Sequence, residues 1–139
     1  MFRKILVGYD GSDAARKALT TALELAGALG GEVSAVAVVR PPEFAELKGE
    51  IENALEEAQG PLAEAFRWAR EAAYKQRVPL HLHRKAGHPA EVLIHFAEEQ
   101  HADLIVLGRR GLTPVQRWML GSVSERVLRY ARCPVMVVQ

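Results

Sequence analysis

The chain has 139 residues, 49% hydrophobic and 25% charged, which is apolar material for one continuous core and too little length for a second domain of ordinary size. A net charge of +1 argues against a protein that grips nucleic acid through bulk electrostatics, and no apolar run approaches the ~20 residues that cross a bilayer. Met1-Phe-Arg-Lys4 leads directly into an apolar stretch with no secretory signal, and the lone Cys133 excludes an intrachain disulfide, so a cytoplasmic protein without membrane or nucleic-acid partners is expected.

Five short apolar runs alternate with helical patterns along the chain. Strands are expected over residues 3–9, 32–39, 79–85, 103–108 and 134–138, and helices over 13–29, 44–76, 89–100 and 122–131. The first helix takes Ser12 as its N-cap, carries Ala15, Leu19, Ala22, Leu23 and Ala26 at helical spacing, and stops at Gly30-Gly31. The second helical region keeps a stripe of Phe44, Leu47, Ile51 and Leu55, breaks at Gly60-Pro61, and resumes with Leu62, Phe66, Ala69 and Ala73. Pro61 suits a first helical turn, so the acidic stretch before it is either a separate short helix or a mobile excursion. This alternation predicts one α/β domain with an open, parallel, five-stranded sheet and helices on both faces.

Charge is unevenly placed along this frame. Residues 41–64 hold seven glutamates against one lysine, read as a solvated face, whereas residues 109–132 hold six arginines against Glu125 alone. Arg129 and Arg132 complement a helix C-terminus and Arg126 is expected to face solvent, which leaves Arg109, Arg110 and Arg117 as phosphate candidates. His81 and His83 share one strand face, and His88, Glu91 and His95 share one helix face. Both sets read as partly exposed surface rather than metal sites.

The richest stretch is Gly108-Arg-Arg-Gly111, then nine residues, then Gly121-Ser122, a loop between an apolar strand and a helix that Ser122-Val-Ser-Glu125 opens as a capping box. The first amides of a helix lack intrahelical partners, and its dipole places about +0.5 charge there, so an anion is stabilised at that end. Gly121 lets a phosphate approach the amides of Ser122, Val123 and Ser124, the two serine hydroxyls add donors, and Gly108 and Gly111 let the other limb of the loop turn closely.

This constellation resembles the nucleotide-binding members of the universal stress protein family, whose pattern is G-x-x-G, nine residues, G-[ST]. The resemblance covers nearly the whole chain, including Lys4-Ile-Leu-Val-Gly-Tyr-Asp10-Gly-Ser12 and the closing Gly121 to Leu128 and Cys133 to Val138. It departs at Pro114 and at Arg109, where the family commonly has a flexible and a small polar residue. The resemblance implies residues 1–139 as one universal stress protein domain of the adenine nucleotide alpha hydrolase-like fold, with strand order 3-2-1-4-5.

That order brings the ends of strands 1 and 4 to opposite walls of one crevice. The resemblance implies ATP as ligand, with Tyr9 and Asp10 on one wall, the backbone at Val38 reading adenine, Gly108, Arg110 and Gly111 along the ribose and proximal phosphates, and Gly121, Ser122, Val123 and Ser124 at the distal ones. Asp10 has three available uses: hydrogen bonding to adenine or ribose, holding Mg or Mn with the phosphates, or simply forming a turn. The apolar edge strand 134–138 suggests a homodimer, and the family points the same way. The function expected is an ATP-binding stress or signalling module. Two alternatives stay open: slow metal-dependent ATP hydrolysis or phosphoryl transfer, for which no base is identifiable, and a dimeric interaction protein that uses no nucleotide.

Overall fold

A computed structural model describes residues 2–41, 48–109 and 120–139. Its elements run β1 (Lys4–Gly8), α1 (Asp13–Leu29), β2 (Glu32–Val39), α2 (Lys48–Glu57), α3 (Gln59–Gln76), β3 (Leu80–Ala86), α4 (Pro89–Glu99), β4 (Leu104–Gly108), α5 (Ser122–Tyr130) and β5 (Val135–Val138). The sheet is parallel throughout with order β3-β2-β1-β4-β5, as expected.

The two-residue period of the strands divides the core into two layers. Ile5 and Val7 of β1, Val33 and Ala35 of β2 and Leu104 and Val106 of β4 face one way, into the buried stripes of α1 and α3. Leu6, Val36, Ile105 and Leu107 face the other way, toward Leu93, Phe96 and Ala97 of α4 and Val127 of α5. Because β1 and β4 are buried on both faces, they read as unbroken apolar runs instead of alternating ones.

Local signals hold the frame in place. Ser12 caps α1 as predicted, its Oγ accepting from Ala15 N–H at 3.2 Å, and Gly30 ends the helix in the left-handed region at φ 72°. The Asp103 carboxylate, expected as the first strand residue, lies before β4 and accepts the N–H groups of Arg3 and Lys4 at 2.9 and 3.2 Å, tying the entries of β1 and β4 together. The long second helix divides at Ala58 into α2 and α3, so among the described residues the acidic stretch is a separate short helix, and Pro61 sits in the first turn of α3. The expected start of that helix at 44 lies outside the described residues.

Candidate functional site

β1 and β4 are adjacent, but β1 is followed by a crossover toward β2 and β4 by one toward β5. The two connections leave in opposite directions, so the carboxyl ends of these strands part and open a crevice. A cavity of about 570 Å³ occupies it, lined by Gly8 to Asp10 and Ser12 from β1 and the turn into α1, by Val36, Val38 and Arg40 from β2, by Pro89 and Leu93 from α4, by Leu107 to Arg109 from β4, and by Gly121 to Ser124 from the start of α5. Of the expected site residues, Tyr9, Asp10, Val38, Gly108, Gly121, Ser122, Val123 and Ser124 meet here. Arg110 and Gly111 lie outside the described residues, as do Pro114 and Arg117.

The floor is apolar and made by a close fit. A Cβ on Gly8 would stand 2.8 Å from Leu107 Cδ2 and 3.0 Å from Leu93 Cδ1, so the bare Cα is what lets α4 close over the end of β1. Leu93 belongs to the inner stripe of α4 with Ala90, Phe96 and Ala97. Sequence reasoning did not assign it, nor Arg40, Pro89 and Leu107, to the site. The available signal was period: Val36 and Val38 share a strand face, and that face packs on α4.

Gly108 has a different reason from the one expected. A Cβ there would lie 2.7 Å from both the carbonyl carbon and oxygen of Ala14 and 2.9 Å from its Cβ. Glycine is therefore required at the end of β4 for the start of α1 to pack against it, whatever else approaches from the cleft. Gly11 is constrained twice, by φ 84° and by the Ala65 Cβ 2.7 Å from where its own would be.

The polar groups are partly committed. Asp10 Oδ1 accepts from Ser12 N–H at 2.9 Å, the turn-forming use, while the side chain stays exposed at the mouth. Tyr9 is buried and its hydroxyl donates to Ala65 O at 2.7 Å, anchoring β1 to α3 on the far side of the sheet. Burial pushes this phenol above the ordinary 10.0, with the neighbouring Arg16 opposing the rise.

The α5 entry also differs from expectation. Gly121, not Ser122, is the N-cap, so Ser122 to Ser124 are the first helical residues and the capping box does not form; Glu125 instead pairs with Arg129 at 3.4 Å. The Ser124 hydroxyl donates to Gly108 O at 2.9 Å and Gly121 N–H donates to Arg109 O at 2.9 Å. Two bonds thus close the neck of the loop, and Ser124 is a strut across it. Among the described residues no side chain caps α5, and its first residues line the cavity.

The remaining candidates are structural. Glu91 pairs with Arg126 and His95 with Glu99, while His81 lies 3.8 Å from Glu32. No cluster of three His, Cys, Asp or Glu side chains able to hold a metal occurs among the described residues. Cys133 is a half-buried free thiol, pushed up in pKa by burial and then by Asp103, which suits a packing residue and not a nucleophile.

The universal stress protein family model matches residues 1–139, the whole chain. The chain belongs to the universal stress protein family. A universal stress protein of Methanocaldococcus jannaschii is 37% identical over 143 residues, covering 100% of this chain and 83% of that protein. Among solved structures, the universal stress protein UspA from Lactobacillus plantarum superposes with a TM-score of 0.82 at 27% identity, over 99% of this chain and 98% of that one. A universal stress protein solved in complex with cAMP gives 0.78 at 25% identity, over 99% and 97%. The fold of these universal stress proteins is the one described above, the adenine nucleotide alpha hydrolase-like fold.

Proposed function

We propose that this universal stress protein binds an adenine nucleotide, ATP in the first instance, in the crevice between β1 and β4, and acts as a nucleotide-responsive module. The observation that carries the reading is the α5 N-terminus, without a side-chain cap among the described residues and lining the cavity beside Gly121. Oriented amides and the helix dipole favour a phosphate there over any neutral group. The opposite end is suited to a base, with Val36, Val38 and Leu93 as apolar walls and the main chain at the end of β2 to read a ring edge. At about 570 Å³ the cavity falls in the range of roughly 300–1,000 Å³ that small ligands occupy. The structural relative that binds cAMP supports the same ligand class.

Asp10 is the one carboxylate among the described lining residues. With Oδ1 held by Ser12, it keeps an oxygen for a ribose hydroxyl or for a Mg or Mn ion shared with the phosphates. Phosphate oxygens would have to supply the rest of such a cation's ligands. In this reading the second copy of a homodimer pairs along β5, and nucleotide occupancy is the signal that its partners read.

Isothermal titration with ATP tests the binding. Saturable one-site binding is expected, weakened by about tenfold or more in Gly121→Val, where a branched side chain blocks approach to the amides. Denaturing freshly purified protein and identifying any released nucleotide tests ligand identity without presuming it. Absence of ATP binding, or binding untouched by Gly121→Val, overturns the reading.

A further inference from the structure

Arg109 follows the last residue of β4, between the edge strand and the start of α5. Its main chain is pinned on both sides, the N–H donating to Val138 O at 3.0 Å and the carbonyl accepting from the Gly121 N–H at 2.9 Å. Its side chain is loosely held. Nη1 reaches Gln139 Oε1 at 3.4 Å, the long limit of a hydrogen bond, and Nε is shut off from solvent with no acceptor among the described residues. A buried donor without an acceptor destabilises, and among the described residues a guanidinium with five N–H groups meets one neutral amide oxygen. The same residue lines the cleft beside Gly121 and Ser122.

We infer that Arg109 couples the cleft to the edge strand: a phosphate-bearing ligand at the start of α5 draws the guanidinium off Gln139, and the end of β5 loosens. This rests on the nucleotide reading above. The exchange favours the ligand because a charged oxyanion accepts two parallel N–H bonds where the amide accepts one long one. With the main chain bonded to Val138 and Gly121, the movement stays in the side chain, and its effect falls on Gln139 and the strand that ends beside it. β5 borders only β4, so its outer backbone groups are where a further strand would add. A partner strand that orders β5 therefore weakens nucleotide binding by the same factor that nucleotide weakens the pairing.

Hydrogen exchange over residues 135–139, run beside calorimetry on the same samples, tests the coupling with ATP and with adenosine. In the wild-type chain ATP speeds exchange at 137–139 by about threefold or more and adenosine does not. Gln139→Ala shows the faster exchange without ligand, gains little on adding ATP, and binds ATP at least as tightly as the wild type; Arg109→Gln loses the response. ATP that binds without changing exchange overturns the coupling and leaves the binding reading intact, as does an equal response to adenosine or an unaltered response in Arg109→Gln. ATP that does not bind the wild-type chain overturns both.

Discussion

Gly108, Tyr9 and His83 serve the frame that holds the cleft, and each has a measurable signature. Gly108→Ala drives a Cβ into the Ala14 backbone and should destabilise by about 1–3 kcal/mol, read in urea unfolding, because neither the helix start nor the strand end can yield cheaply. Tyr9 contributes through a buried hydroxyl and a raised pKa. A phenol whose folded-state pKa lies above its unfolded 10.0 gives stability that is complete below pH 10 and is lost as pH climbs through the folded value. Tyr9→Phe should therefore cost about 1 kcal/mol at neutral pH and flatten the alkaline limb of the stability profile. His83 runs the opposite way: burial first, then Lys85 and His81, hold it below the ordinary 6.5, with its ring edge-on to Phe96 at 4.8 Å. Its contribution is present above pH 6.5 and is lost as pH falls through the folded value, so the melting temperature of His83→Leu should depend less on acid than that of the wild type.

At the scale of elements, the decisive feature is a helix that begins, among the described residues, without a side-chain cap. Gly121 sits at φ −64° and ψ 151°, a conformation open to any residue, so its glycine is not a backbone necessity. Gly121→Asp separates stability from binding. A carboxylate at the N-cap should stabilise α5 by about 0.5–1 kcal/mol and, by occupying the amides and repelling phosphate, weaken ATP binding by about tenfold or more. Unfolding and titration on the same variant check the two signs together. Sequence placed this helix to within a residue, but it put the cap on Ser122 and did not foresee the bond from the Ser124 hydroxyl to Gly108 O. Which residue caps depends on where the chain enters the helix, and that is set by the bonds from Ser124 to Gly108 and from Gly121 to Arg109, made between residues 16 and 12 positions apart.

The whole molecule is organised by β1, which borders β2 and β4 and sends one apolar layer to each side. Its two sheet edges are unlike. β3 carries His81, His83, Arg84 and Lys85, residues that discourage another strand, whereas β5 is Val135-Met-Val-Val138 with every residue half-buried. A homodimer through β5 is thus expected, seen as a dimer in sedimentation velocity at micromolar concentration and lost on Val137→Lys; a monomer throughout would remove the self-association from the proposal. Among the described residues no helix is long and apolar enough to cross a membrane.

The order of elements, the parallel class and the helix stop at Gly30 were legible in the sequence, because periodicity, caps and turns are local and each is written in neighbouring residues. Tertiary structure alone decided why glycine stands at 8 and 108, since those Cα atoms meet Leu93 and Ala14, 85 and 94 residues away in the chain. It likewise decided that Leu93, Leu107 and Arg40 line the cleft, that the Tyr9 hydroxyl belongs to α3, and that Arg109 reaches Gln139. A contact across a sheet depends on register and on which helix covers which face, and neither is encoded by spacing along one segment.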